Sequence, residues 1–160
     1  MTDVKVLFVC MGNICRSPTA HAVFARRVQE AGLEGHIEVD SAGTHGFHVG
    51  DAPDERAQAA AAARGYDLSG QRAREVEPAD LHAFDFVIAM DRANHAVLES
   101  LAGGRARAEL ALLLDYARGH EGGDVPDPYY GAINGFEEVL DLAEAAAEGL
   151  LEEVRRRHRL

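Results

Sequence analysis

One stretch limits what this chain can fold into more than any other: Cys10-Met11-Gly12-Asn13-Ile14-Cys15-Arg16-Ser17, in which a cysteine and an arginine enclose five residues. The run before it, Val4 to Val9, is short, apolar and rich in β-branched and aromatic residues. That is the pattern of a strand buried on both faces of a parallel sheet. The run after it opens Ser17-Pro18, an N-cap residue followed by a good first helical residue, and reads as helix up to Gly32. The Cys-to-Arg segment is therefore expected as a tight loop between a buried strand and a helix N-terminus.

In such a loop several backbone N–H groups turn inward, and the helix adds roughly half a positive charge at its start. An anion fits there. Arg16 supplies a planar fork that matches two oxygens of a phosphate, which a lysine cannot do in a bidentate way. Gly12 and Asn13 suit strained loop conformations. Cys10, at the strand's end, lies under the same field, which favours a nucleophilic thiolate. The G-x4-G-K-[ST] pattern of a nucleotide P-loop is absent. The blander reading, with Cys10 a small buried hydrophobe and Arg16 a surface charge, leaves the agreement of strand, loop and helix start unexplained.

The stretch VLFVCMGNICRSPTA resembles the signature of the low-molecular-weight protein tyrosine phosphatases. The similarity continues through Asp40-Ser41-Ala42-Gly43-Thr44 and Asp127-Pro128-Tyr129-Tyr130 to the final helix, nearly the whole chain. The resemblance implies an α/β three-layer sandwich: a central four-stranded parallel sheet flanked by helices, with the phosphate-binding loop after the first strand. It also implies attack by Cys10 on a phosphate ester, a phosphocysteine intermediate and hydrolysis by water, with no cofactor. Met11, Gly12, Asn13, Ile14, Cys15 and Ser17 would then surround the phosphate. Asn13 would be supported by a hydrogen bond with Ser41, although Ser41 alone reads equally as a cap of its own turn.

Composition sets the outer limits. At 160 residues the chain suits a single domain, 1–160, that buries roughly two thirds of its unfolded surface. No apolar run approaches the ~20 residues of a membrane span, and the sequence enters its first strand without room for a signal peptide. The formal net charge of -11 disfavours nucleic acid and anionic membranes, so a phosphorylated ligand depends on local positive potential at the Cys10–Arg16 loop. Both cysteines lie in that loop, which argues for a reducing compartment. A cytoplasmic monomer is expected.

Along the chain, the first helix, Pro18 to Ala31, presents Ala20, Phe24, Val28 and Ala31 on one side, and His21 reads as a surface residue. A strand from Ile37 to Asp40 leads into a Gly-rich loop, Gly43 to Asp54, too long to be a mere connector. In it, Phe47 sits where the resemblance implies an aromatic at the pocket rim; anchoring the loop in the core is the other reading. His45 and His48 lack further ligands at metal spacing, so no metal is expected. Helix follows from Asp54 to Arg64, then loop and a short helix to Asp80, and a strand from Phe84 to Ala89. Asp91 reads as the cap of a helix ending near Leu101 rather than as a site residue. Ala108 to Leu114 is taken as the fourth strand, because the alternation requires one. A polar loop, Gly119 to Tyr130, precedes a helix from Gly135 to His158 with Asn134 and Glu137 as a capping pair.

Ester cleavage at neutral pH needs a proton for the leaving oxygen. Asp-Pro alone is a turn signal, and Asp124 and Asp127 are both open; the resemblance implies Asp127 as general acid and then base. It also implies that Ser17 steadies the Cys10 sulfur as a leaving group, that Tyr129 and Tyr130 wall a deep slot suited to phenyl phosphates, and that Cys15 protects Cys10 through a reversible disulfide. A small residue packed behind the loop is the plainer reading of Cys15. Phosphotyrosine proteins are the expected substrates, a tyrosine autokinase among them, with phosphate-like anions as ligands. Three rivals are arsenate reduction, which needs cysteines downstream that are absent, arginine phosphatase activity, associated with Thr where Ile14 stands, and a non-catalytic phosphotyrosine-binding module, which needs neither Cys10 nor Asp127.

Overall fold

The computed structural model describes residues 3–129, 131 and 134–160. Strand β1 (Val4–Cys10) pairs in parallel with β2 (Ile37–Gly43) on one side and β3 (Phe86–Ala89) on the other, and β4 (Glu109–Leu112) pairs in parallel with β3. The order β2-β1-β3-β4 puts β1 inside the sheet, which is why its sequence is apolar without alternation.

Successive β1 side chains nonetheless serve different layers. Val4, Val6 and Phe8 join a core with helices α1 (Arg16–Glu30) and α5 (Gly135–His158), through Val23, Phe24, Leu140, Leu150 and Val154. The Phe8 and Phe24 rings meet edge to face, 5.5 Å apart. Leu7 and Val9 point the other way, to Leu81 and Leu98 of the short α3 (Asp80–Ala83) and of α4 (Arg92–Ala102). Helix α2 (Glu55–Ala62) contributes Ala57 and Ala61 to the first layer. This is the expected α/β architecture, with helices on both faces of a four-stranded parallel sheet.

The connections fix where a ligand can sit. The β1–β2 crossover uses α1 on one face and the β3–β4 crossover uses α4 on the other. A crevice therefore opens at the carboxyl ends of β1 and β3, the switch point at which such sheets bind ligands. No helix among the described residues is long and apolar enough to cross a membrane.

Several boundaries differ from the sequence reading. Helix α1 begins at Arg16 with Cys15 as N-cap, so Ser17 is not the cap; its hydroxyl is engaged with the loop, and Pro18 sits in the first turn, where its missing N–H is no loss. Strand β2 runs on to Gly43 because it follows β1 to Cys10. Strand β3 starts only at Phe86, since Phe84 closes α3 and the Asp85 carboxylate accepts the Lys5 N–H. The run 108–114 is only partly strand: after Leu112 the chain tightens into a 3-10 turn, Leu113–Tyr116, with Asp115 accepting the Leu112 N–H. Asn134 and Glu137 are not a capping pair. Asn134 makes no side-chain cap bond, and Glu137 instead pairs with Arg64 at 2.7 Å.

Candidate active site

The segment from Cys10 to Arg16 wraps around the end of β1 as a loop whose walls are its own backbone. Asn13 adopts a left-handed conformation, φ 60°, which asparagine tolerates better than most residues. That turn aims the Asn13 N–H at Cys10 Sγ, 3.3 Å away. Ser17 Oγ lies 3.1 Å from the same sulfur. The Asn13 amide donates to Ser17 Oγ at 2.9 Å and to Ser41 Oγ at 3.0 Å, and accepts the backbone N–H of Arg74 at 3.0 Å. Ser41 donates to Gln71 Oε1, and Gln71 donates to the Pro18 carbonyl. Gly43 is required by a close approach, since a Cβ there would stand 2.7 Å from the Met11 carbonyl oxygen.

Arg16 is almost wholly buried, 2% exposed, an unusual state for a guanidinium that demands partners. One nitrogen donates to Asp91 Oδ2 at 2.6 Å and to the Val125 carbonyl at 3.0 Å. The other lies 3.7 Å from Asp127 Oδ2. Burial alone would lower its pKa, but Cys10, Asp91 and Asp127 together raise it above the ordinary value. Burial, aided by Asp54, Cys10 and Asp127, pushes the Cys15 thiol up to about 12, so Cys15 is a thiol at neutral pH.

A cleft of about 140 Å³ opens over this floor, bounded below by Cys10, Met11, Gly12, Ile14, Cys15 and Arg16 and at the sides by Phe47, His48, Asp127 and Tyr129. Asn13 and Ser17 are not among its lining residues: their side chains are buried behind the loop, where their hydrogen bonds support it. Phe47 is 73% exposed and stacks on His45 with centroids 5.2 Å apart, so it anchors nothing in the core. Tyr129 faces His48 at 6.3 Å and carries Arg56 on its ring. Tyr130 lies outside the described residues.

The two candidate acids separate clearly. Asp124 accepts the Arg92 backbone N–H at 2.9 Å, which holds its carboxyl below the usual range, and it is not part of the cleft. Asp127 lines the cleft, with one oxygen accepting the Tyr129 N–H at 3.0 Å and the other near Arg16.

Three participants escaped the sequence reading. Asp91 does cap α4, accepting the Asn94 N–H at 2.7 Å, but its second oxygen holds Arg16, so the cap and the site residue are one carboxylate. Its place just past the carboxyl end of β3 was the available signal. His48, whose spacing from His45 in the sequence raises only the question of a metal, walls the cleft. Arg74 had no local signal at all. His21 is also not a plain surface residue, because its Nδ1 is buried without a hydrogen-bond partner.

A strand, a tight loop and a helix N-terminus, with a cysteine and a buried arginine together on the cleft floor, define a class of α/β domains whose loop geometry suits a phosphate-like oxyanion held against a thiol. The description "Low molecular weight phosphotyrosine protein phosphatase" matches residues 5–160. The chain is 43% identical over 157 residues to the low molecular weight protein-tyrosine-phosphatase YfkJ of Bacillus subtilis, covering 98% of this chain and 99% of that protein. It is 47% identical over 154 residues to the low molecular weight protein-tyrosine-phosphatase of Streptomyces coelicolor, covering 94% and 93%. A crystal structure of the protein tyrosine phosphatase of Entamoeba histolytica, with Hepes in its active site, superimposes with a TM-score of 0.91 at 36% identity, covering 96% of this chain and 97% of that one. The chain belongs to the low-molecular-weight protein-tyrosine-phosphatase family.

Proposed function

We propose that this phosphatase hydrolyses phosphotyrosine in proteins through a phosphocysteine on Cys10, with Asp127 as general acid and then general base. The observation that carries the reading is the arrangement at Cys10 Sγ: two hydrogen-bonding groups on the sulfur, Arg16 beside it, and Asp127 on the wall of the same narrow cleft.

In the first step the Cys10 thiolate attacks phosphorus and the P–O bond to the aryl oxygen breaks, while Asp127 delivers its proton to that oxygen. Loop N–H groups and the Arg16 fork stabilise the equatorial oxygens as charge spreads over them. In the second step Asp127, now a carboxylate, takes a proton from water as its oxygen attacks phosphorus. The S–P bond breaks, and the Ser17 hydroxyl donates to the departing thiolate. Phe47, His48 and Tyr129 give the cleft a depth that matches a phenyl ring better than a serine side chain.

Ile14 and Tyr129 favour phosphotyrosine over phosphoarginine, and the sequence has no third cysteine to relay a disulfide as arsenate reduction requires. Two free thiols and no disulfide suit a reducing cytoplasm. The substrates this reading expects are phosphotyrosine proteins, including a tyrosine autokinase, met by a monomer.

The test is turnover of para-nitrophenyl phosphate and of a phosphotyrosine peptide without added metal. Wild type should release phosphate from both, and Cys10→Ser from neither while still retaining the phosphopeptide. Full turnover by Cys10→Ser would overturn the mechanism.

A further inference from the structure

The position of Cys10 depends on Asn13. The Asn13 N–H reaches the sulfur only because the backbone is left-handed there, and the side-chain amide is what holds that turn. Beside Ser17, which directly follows the loop, two of the three amide partners come from distant segments: Ser41 Oγ, in the carboxyl-terminal half of β2, and the backbone N–H of Arg74. They act as two struts, carried by separate segments of chain.

A single side chain ties those struts together. The Arg74 guanidinium donates from Nε to Asp40 Oδ2 at 3.3 Å, and one of its terminal nitrogens lies 3.2 Å from the same oxygen. Its two terminal nitrogens also fork onto Asp80, at 3.0 and 3.2 Å. Asp40 in turn accepts the N–H of Ser41 at 2.8 Å, so the carboxylate that receives Arg74 also orients the first strut. Asp80 accepts the Glu77 N–H at 2.8 Å, which anchors the segment carrying the second. The Arg74 carbonyl accepts the Gly43 N–H at 2.8 Å, joining the two segments through the backbone as well.

We propose that Arg74, clamped between Asp40 and Asp80, is a positioning residue for the nucleophile: it fixes the spacing between Ser41 and its own N–H, and thereby holds Asn13 in the conformation that serves Cys10. Arg74 touches neither the cleft nor the sulfur. A partly solvated ion triad of this kind adds little to global stability. Its effect is on geometry, where small displacements of a reacting group are costly. A lysine can meet one carboxylate but cannot bridge both with a planar fork.

The inference rests on Cys10 being the nucleophile, and the experiment separates the two. Arg74→Ala, Arg74→Lys and Asp80→Asn are compared with wild type by thermal melting, by kcat and KM for para-nitrophenyl phosphate, by inhibition with vanadate, and by the rate at which iodoacetate alkylates Cys10. Arg74→Ala should lower kcat by roughly 10- to 100-fold, weaken vanadate inhibition and slow alkylation in folded protein. Arg74→Lys should recover part of each loss, and Asp80→Asn should move all three in the same direction by less. If Arg74→Ala does not fold, Asp80→Asn carries the same expectation. A lowered melting temperature with kcat, vanadate inhibition and alkylation unchanged would overturn the proposal. Alkylation needs no turnover, so a wild type inert toward the phosphate ester would defeat the proposed function and leave the Arg74 effect readable.

Discussion

Asp91 holds Arg16 with one carboxylate oxygen, at 2.6 Å, and starts α4 with the other, at 2.7 Å from the Asn94 N–H. The guanidinium on the cleft floor is thus referenced to a helix on the far layer of the sheet. Asp91→Asn keeps a competent cap but trades an ion pair with Arg16 for a hydrogen bond to a neutral acceptor. It should leave the melting temperature within a few degrees of wild type and lower kcat/KM roughly 10-fold or more, with weaker inhibition by inorganic phosphate. Steady-state kinetics beside thermal melts check this.

Asp127→Ala should lower kcat/KM, which reports the first step, by ~10²-fold or more for phenyl phosphate, whose leaving group needs its proton, and by much less for para-nitrophenyl phosphate. Asp124→Ala should leave both near wild type, because Asp124 is engaged with Arg92 outside the cleft. Equal losses for both substrates in Asp127→Ala would remove Asp127 as the acid.

Because burial is the first cause that pushes its thiol up, Cys15 should resist alkylation in the Cys10→Ser variant throughout the neutral range and become reactive only in alkali. Its part in protecting Cys10 is a separate expectation. Peroxide-treated wild type should regain activity with added thiol, and Cys15→Ser should not. Mass spectrometry of the treated protein distinguishes the disulfide from overoxidised Cys10.

His21 has its pKa lowered below 6.5, by burial first, against the opposing influences of Asp40 and Gln71. The unfolded chain therefore binds a proton more readily than the folded one, and stability rises with pH across this window. Acidification below about pH 6.5 should destabilise the protein until the folded-state value is passed. His21→Gln should flatten the difference in melting temperature between pH 5.5 and pH 7.5, each buffered alike.

Phe47→Ala removes a side chain that is 73% exposed, so stability should change by no more than about 0.5 kcal/mol. KM for aryl phosphates should rise several-fold while kcat holds, since the ring bounds the entrance and not the reacting atoms. An unchanged KM would mean that the substrate ring does not reach it.

What could be read in advance followed from local physics. A strand buried on both faces must be apolar throughout, so Val4 to Val9 declared itself, and the glycine and asparagine of a tight anion loop followed from its backbone. Ser17-Pro18 marked the right helix but the wrong cap, because the same pair is compatible with a helix that starts earlier and spends the hydroxyl on a sulfur. The pairing of Arg16 with Asp91 spans 75 residues and that of Asn13 with Arg74 spans 61. No periodicity or capping rule reaches that far, so both became visible only when the sheet brought its strand ends together. Asp-Pro alone leaves Asp124 and Asp127 open and only the resemblance favours Asp127; the bond from the Arg92 backbone N–H that occupies Asp124 is a further long-range contact no local rule predicts.

The last turn of α5 lies at the other end of the sheet from the cleft. Arg157 bridges to Glu109, at the start of β4, and His158 packs on Phe86, at the start of β3. β1, whose last residue is Cys10, spans about 20 Å between these poles. Anything joined after Leu160 therefore leaves the mouth unobstructed. Tethered by that pole to a bead or sensor chip, the enzyme would present its opening outward, a geometry suited to fishing phosphorylated proteins from solution with the Cys10→Ser form.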